Sequence, residues 1–145
     1  MKLFQIEEPD GSPTDPDAPG VAIGIDLGGA QAEVAVAIGG NAVILADRDG
    51  FALELAVPGP GASAEEWQHL FEGARLRAER ALAQPATHAA VTFAASVAAA
   101  DAERLGEAAE AAGLTLLDVM VTDAGDRACA AAIRAEDLAP RPAVR

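Results

Sequence analysis

Short apolar runs alternate with longer alanine-rich segments, and this alternation constrains the fold more than any other feature of the sequence. The first three runs are Val21–Asp26, Glu33–Ile38 and Ala42–Ala46, and glycine-containing segments separate them. Each run has the length and composition of a strand, and Gly39-Gly40-Asn41 is typical of a hairpin turn. The chain therefore begins its folded part with a three-stranded meander, which Phe51–Val57 extends as a possible edge strand.

The rest of the chain alternates helices with strands. Ser63-Ala64-Glu65-Glu66 has the pattern of a capping box, which predicts a helix from this point to about Ala83. Strands are predicted at Ala89–Ala95 and Leu114–Thr122, and helices at Ala98–Ala112 and Asp126–Leu138. The order β-β-β-α-β-α-β-α predicts an α/β fold with a mixed five-stranded sheet and helices packed on its faces. This layout resembles the ribonuclease-H-like fold.

Composition fits one domain with short tails. The chain has 145 residues, of which 51% are hydrophobic but only 3% aromatic, so the core must consist of Ala, Val, Leu and Ile. Residues 1–20 are acidic and proline-rich, which predicts a disordered tail or a docking arm anchored by Leu3, Phe4 and Ile6. We expect the folded domain to span residues 21–138, followed by a C-terminal tail over 139–145.

Charge and composition argue against several classes of function. The net charge is −13, with 23 acidic and 10 basic residues, so no nucleic-acid partner is expected. No apolar run approaches the roughly 20 residues of a membrane-spanning helix, so no membrane insertion is expected. Cys129 is the single cysteine and excludes an intrachain disulfide. These features predict a cytoplasmic protein.

The segment after the first strand carries the chemistry that the sequence indicates. Asp26 ends an apolar strand, and Gly28, Gly29 and Ala30 follow it. A carboxylate at a strand end can bind hydrated Mg²⁺, and glycines allow backbone N–H groups to approach phosphate oxygens. Asp26, Gly28, Gly29 and Ala30 are therefore the candidate cofactor-binding residues, with Asp26 as the candidate metal ligand.

This loop resembles the first phosphate-binding loop of the actin/DnaK/sugar-kinase superfamily. A second stretch, from Val91-Thr92-Phe93 through the following helix to Ala112-Gly113-Leu114 and Leu117, is similar to a strand–helix–strand segment of DnaK-type chaperones. Val121–Ala132 resembles the strand-to-helix corner that follows in that family. The resemblance covers about residues 21–135 and implies the first lobe only of a two-lobed ATPase.

The chain departs from this family at the residues that would meet nucleotide. Gly29 and Ala30 stand where the family has two threonines, and the only lysine, Lys2, lies in the N-terminal tail. Ala94 replaces a family proline, and Asp123 stands one position away from an acid that the family carries. The resemblance therefore implies a degenerate phosphate loop. No cofactor is expected, with ATP and Mg²⁺ as the alternative.

Other interpretations of the polar residues remain open. Asp26 can instead cap the Gly28–Ala30 turn, and Glu33 either matches a sugar-kinase glutamate or is a solvated strand residue. Asp26, Asp123 and Asp126 together would resemble the acidic cluster of RuvC-type nucleases, although Asp126 also suits a helix N-terminus. Neither the histidines, His69 and His88, nor Cys129 forms a metal-ligand pattern.

We therefore expect a non-catalytic, DnaK-like, single-lobe protein that acts as an accessory, chaperone-like or assembly subunit. Its partner would be another protein or a second copy of the chain, bound on the face that a second lobe would cover. The apolar residues proposed for that contact are Ala98, Ala102, Leu105, Ala109 and Ala112. The alternatives are an ATP-binding or phosphotransfer protein that completes its site by dimerisation, with Asp26 and Asp123 as catalytic acids, and a RuvC-like nuclease.

Overall fold

Alternating apolar residues along the strands build a sheet with two buried faces. The computed structural model describes residues 20–46, 54–59, 62–94, 99–122 and 125–140. Its five strands are β1 (Val21–Asp26), β2 (Glu33–Ile38), β3 (Asn41–Leu45), β4 (Ala86–Phe93) and β5 (Thr115–Val121). Three helices accompany them, α1 (Ala64–Leu82), α2 (Ala99–Ala111) and α3 (Arg127–Leu138). The expected order of elements and the α/β class are confirmed.

The strands form one mixed sheet in the order β3-β2-β1-β4-β5. β1 pairs antiparallel with β2 and parallel with β4, β2 pairs antiparallel with β3, and β4 pairs parallel with β5. The hairpin between β2 and β3 turns through Gly39 and Gly40, whose φ angles are +61° and +85°. Such angles favour glycine and match the twist of the strands, so this turn fixes the register of the hairpin.

The helices cover both faces of the sheet. On one face, Ile23, Ile25, Val34 and Val36 belong to the main core together with residues of α1 and α2, among them Phe71 and Leu105. On the other face, Ala35 and Ala37 pack with Ala128 and Ala132 of α3. Because side chains alternate between faces along a strand, neighbouring residues of β2 serve different cores. None of the described helices has the length and apolar character to cross a membrane.

Local signals set the ends of α1. Ser63 accepts a hydrogen bond from the backbone N–H of Glu66, and the Glu66 side chain accepts one from Ser63, so the predicted capping box is confirmed. The helix ends at Leu82, and the C-cap residue Ala83 has a left-handed φ of 56°, which is unusual for a residue with a side chain. Trp67 lies only half-buried against the core, whereas Phe71 is fully buried.

Two expectations about element boundaries and surfaces are wrong. β4 starts at Ala86 rather than Ala89, because Val21 pairs with Ala86 and donates to the carbonyl of Pro85. The apolar stripe of α2 is not a docking face: Leu105, Ala109 and Ala112 are core residues, at most 4% exposed. Ala102 of that stripe is half-buried, and Ala98 lies outside the described residues.

Several other expectations concern residues that the structure does not describe. Residues 1–19 of the predicted tail, residues 141–145, and Phe51 at the start of the possible edge strand are among them. Within residues 54–59, Ala56 forms only an isolated bridge with Gln31. The division into a tail, a domain over 21–138 and a C-terminal tail stays a prediction.

Helix α3 lies unusually close to the sheet because β1 has a glycine at the contact. A Cβ atom added to Gly24 would lie 2.1 Å from the backbone nitrogen of Ala132. No rotation of a side chain can relieve a clash with backbone, so a larger residue must push α3 away from β1. Gly24 is therefore required by packing rather than by backbone conformation.

We predict that Gly24→Ala destabilises the fold by about 2 kcal/mol or more, because the added methyl group forces α3 off the sheet. Gly106→Ala is the matched control, since Gly106 lies within α2 and a Cβ atom there meets nothing within 4 Å. The control should be stabilising by about 0.5–1 kcal/mol through helix propensity. Urea unfolding measures both, and equal effects would contradict the packing argument.

Candidate functional site

The candidate site lies where the parallel strands β1 and β4 end. Asp26 is the last residue of β1, in register with Thr92 of β4 on one side and with Glu33 of β2 on the other. Thr92 is fully buried and Asp26 is 5% exposed. Arg127, the first residue of α3, completes the group from the helix that covers this face. The sheet register and the α3 contact together bring these side chains to one point.

One carboxylate oxygen of Asp26 accepts bonds from three directions. Its Oδ1 lies 2.9 Å from the backbone nitrogen of Gly28, 3.0 Å from Nε of Arg127 and 3.3 Å from the hydroxyl of Thr92. The Thr92 hydroxyl also lies 3.3 Å from the carbonyl of Arg127. A hydroxyl has a single hydrogen to donate, so these two Thr92 contacts are alternatives.

Asp26 and Arg127 form a partly buried ion pair. The Asp26 side chain is 8% exposed and that of Arg127 is 25% exposed. A positive charge in the first turn of a helix is unfavourable in the field of the helix dipole, so Arg127 depends on Asp26 for compensation. Asp26 depends equally on Arg127, because a buried carboxylate without a partner would be costly.

Gly28 makes room for the arginine. A Cβ atom on Gly28 would lie 2.7 Å from Nε and 3.0 Å from Cζ of Arg127. The guanidinium group thus lies against the glycine of the loop that the sequence assigned to phosphate. The close approach that this glycine permits is already used by a side chain of the same chain.

The following residues of the loop are held by another segment. Ala30 accepts a hydrogen bond from the nitrogen of Val57 at 2.9 Å, and Ala32 donates to the carbonyl of Leu55 at 2.7 Å. The Gln31 side chain accepts from the nitrogen of Leu55 at 3.1 Å. Gly29 and Ala30 are exposed and carry no hydroxyl that could meet a phosphate. The loop is fixed in position by hydrogen bonds within the chain.

The predicted acids do not form a metal cluster in the part of the chain that is described. Over these residues, no group of three His, Cys, Asp or Glu side chains is arranged to hold a metal ion. Asp126 is exposed at the start of α3 and makes no side-chain capping bond, so its expected capping role is wrong. Asp123 lies outside the described residues. Glu33 is exposed, as expected of a solvated strand residue.

Arg127 and Thr92 are the residues that sequence reasoning missed. Thr92 had no signal, because a threonine in a strand is ordinary. Arg127 had a signal. Cations are unfavourable in the first turn of a helix, so an arginine at the second position of the predicted helix Asp126–Leu138 indicates a nearby acid. The structure identifies that acid as Asp26.

Cys129 and the two histidines have structural surroundings. Partial burial, with the negative charges of Asp126 and Glu33, raises the pKa of the Cys129 thiol. Cys129 packs against the alanine core beneath α3 and stays protonated, which disfavours a nucleophilic role. His69 is exposed near Glu65 and Glu66, and His88 lies beside Thr87 on β4.

One groove beside β1 lies away from Asp26. A groove of about 290 Å³ is bordered by Val21, Ile38, Leu82, Glu136 and Pro140 at the opposite end of β1. The carboxylate of Glu136 in this groove accepts hydrogen bonds from the nitrogens of Gly39 and Gly40, at 2.7 and 2.9 Å. This contact ties the β2–β3 hairpin to α3.

Comparison with known proteins gives no family for this chain. No protein-family model and no curated protein sequence matches it. The functional interpretation therefore rests on the residues and their geometry.

We predict that Arg127→Gln destabilises the fold by about 1–3 kcal/mol, because it leaves the buried Asp26 carboxylate without a counter-ion. Arg134→Gln is a matched control on the same helix: Arg134 pairs with Asp118 at 2.9 Å, but the two side chains are 48% and 32% exposed. The control should cost less than about 1 kcal/mol. Urea unfolding compares the two, and equal losses would contradict the importance of the Asp26 pair.

The environment of His88 predicts a dependence of stability on pH. Thr87 Oγ1 accepts from the nitrogen of Gly20 and also shares a hydrogen bond with His88 Nδ1, at 2.8 Å. Burial lowers the pKa of His88 below the ordinary value of 6.5. The unfolded chain therefore binds a proton more readily than the folded chain as pH falls through this range, and acidification favours unfolding.

We predict that the free energy of unfolding falls less steeply in His88→Gln than in the unaltered chain between about pH 7.5 and 5.5. Glutamine can also hydrogen-bond to Thr87 but cannot take up the proton. Urea unfolding at a series of pH values tests this. Parallel curves for the two proteins would show that His88 does not contribute.

Proposed function

We propose that this chain is a non-catalytic protein of ribonuclease-H-like architecture, related to the first lobe of DnaK-type ATPases. In this proposal it acts as an accessory, chaperone-like or assembly subunit through protein–protein contacts. The interaction that carries the proposal is the ion pair between Asp26 and Arg127. Three features support the proposal: the order of the strands, the composition of the loop after β1, and the positive charge of Arg127 beside that loop.

The strand order supports the architectural part of the proposal. The sheet runs β3-β2-β1-β4-β5, with β2 antiparallel to its neighbours and helices on both faces. A meander that leads into two parallel β–α units is the layout that the sequence resemblance implies. Fold by itself is weak evidence for an activity, so the functional part depends on the site.

The Asp26–Arg127 pair supports the absence of nucleotide chemistry. A Mg²⁺ ion bound to Asp26 would lie beside the guanidinium group, whose Nε is 3.0 Å from the carboxylate oxygen. Two cations on one carboxylate repel each other, and partial burial of the Asp26 side chain, 8% exposed, weakens the screening by water. Metal binding would therefore require Arg127 to leave, at the cost of the contacts that attach the start of α3 to the sheet.

The loop composition leads to the same conclusion. Gly29 and Ala30 lack hydroxyl groups, and Gly28 accommodates Arg127 rather than a phosphate oxygen. Arg127 takes the place of an external ligand at the end of β1. In this proposal, the Asp26–Arg127 pair stabilises the fold instead of binding a ligand. The function then depends on contacts that the remaining surface makes with other proteins.

We predict that calorimetric titration with Mg²⁺–ATP gives no binding heat and that the purified chain neither hydrolyses ATP nor cleaves branched DNA. The physical reason is that Asp26 is already neutralised by Arg127. Micromolar binding that Asp26→Asn abolishes would contradict the proposal and favour the phosphotransfer alternative. Binding that survives Asp26→Asn would point to a nucleotide site elsewhere and would equally contradict it.

A further inference from the structure

The two edges of the sheet differ in how they are protected. β5 pairs with β4 through a register shift at Ala89/Ala90, and it carries Asp118, which forms an ion pair with Arg134. Irregular pairing and charged residues are the usual means by which proteins block edge strands. β3 has none of these means: its sequence NAVIL has no charge and no proline, and its register with β2 is regular.

Exposed apolar side chains border β3 on both faces of the sheet, with Val43 and Ile38 on the α1 side and Ile44 and Ile133 on the α3 side. Val43 is 52% exposed, Ile44 is 43% exposed, and Ile38 at the end of β2 is 72% exposed. Ile133 of α3, 38% exposed, is on the same side of its helix as Glu136, which binds the β2–β3 turn.

We propose that β3 pairs antiparallel with β3 of a second copy of this chain, about a twofold axis at Val43. The two five-stranded sheets would then form one continuous sheet. This inference rests on the proposed function, that the chain works through protein–protein contacts, and it names the surface and the partner.

The hairpin geometry fixes which backbone groups of β3 are available. A two-residue turn at Gly39-Gly40 makes Ile38 and Asn41 a hydrogen-bonded pair. Bonded and non-bonded pairs alternate along an antiparallel ladder, so the N–H and C=O groups of Ala42 and Ile44 face away from β2. These are the groups with which a neighbouring strand would pair.

Self-pairing satisfies these groups without conflict. In an antiparallel arrangement about Val43, the backbone groups of Ala42 form hydrogen bonds with those of Ile44 in the second copy. The backbone groups of Ile44 form hydrogen bonds with those of Ala42 in the second copy. Val43 then lies opposite Val43 of the second copy as a non-bonded pair, in which the Cα atoms approach to about 4.5 Å. Val36 lies beside Val43 within each sheet, so a row of four valines crosses the interface.

Charge favours this edge as the contact between two copies. Each chain carries a net charge of −13, so two copies repel each other over most approaches. β3 brings them together along a strand with no acidic residue, whereas Asp118 would face a partner at the β5 edge. Twofold dimers are the commonest oligomers, and pairing of two identical antiparallel strands produces that symmetry directly.

The experiment measures the solution mass of the full chain by light scattering across a dilution series. The unaltered chain should have twice its monomer mass of 14.6 kDa. Val43→Lys should reduce the mass to that of one chain, because two lysines would meet at the axis. Val121→Lys is the matched control at the opposite edge, since Val121 is 53% exposed on β5, and it should remain a dimer.

A charge swap distinguishes the interface from a general loss of structure. Val43→Glu should also be monomeric, and an equal mixture of the lysine and glutamate variants should recover the dimer. Circular dichroism checks that each variant is folded. If Val43→Lys is not folded, Ile44→Lys and Ile44→Glu replace the pair of variants.

Three results would overturn the inference: a monomeric unaltered chain, a Val43→Lys variant that dimerises as the control does, or a mixture that stays monomeric. None of these bears on the ion pair at Asp26, so nucleotide binding is the separate result that would reject the proposed function. A Val43→Lys monomer that binds no Mg²⁺–ATP supports both. Capture of a different protein by the β3 edge, with no self-association, would reject the second copy as partner while keeping protein contact as the function.

Discussion

The close contact between α3 and β1 at Gly24 is the constraint on which the rest of this structure depends. Because Gly24 has no side chain, the backbone of α3 around Ala132 lies directly on the sheet. From that position the helix reaches three separate parts of the fold: Arg127 meets Asp26 at the end of β1, Arg134 meets Asp118 on β5, and Glu136 meets the β2–β3 turn. A helix held further away could make none of these contacts with side chains of the same length. One glycine therefore determines how the sheet is held from its centre to both edges.

The ion pair at the end of β1 gives the strand-end aspartate and the glycine after it a role in the fold. An arginine of α3 pairs with the strand-end aspartate and lies against Gly28 of the loop that follows. Asp26 compensates a charge that the dipole of α3 disfavours, and Arg127 compensates a charge that burial disfavours. Either charge alone would destabilise the fold at this position, and the pairing offsets the cost of both. Mutual dependence of this kind explains why both can occupy a largely buried position in a chain with few bases.

Local patterns in the sequence predicted the elements well, and long-range register limited the rest. The bounds of β1 and β2, and the capping box of α1, follow from neighbouring residues alone, so they could be predicted. The start of β4 could not be predicted in this way, because Ala86 belongs to the strand through its pairing with Val21, 65 positions earlier in the sequence. The Asp26–Thr92–Arg127 group depends on the β1–β4 register and on the position of α3, and no local pattern encodes either. Alanine also gave little information about exposure: the apolar stripe of α2 suits a partner and a core equally well, and the structure assigns its described members mainly to the core.

An alanine-rich core has a further consequence for where this protein can form contacts. Small side chains let helices lie close to the sheet, so both faces are covered with three helices and few large residues. The larger exposed aliphatic residues are then left at the margins, including Val43 and Ile44 on β3 and Val121 at the end of β5. Of the two edges, β5 has a register shift and a charged residue, and β3 has a regular, uncharged ladder. Protein contact through the backbone of an edge strand needs regular pairing and no buried charge, and in this sheet those two conditions are met together at β3.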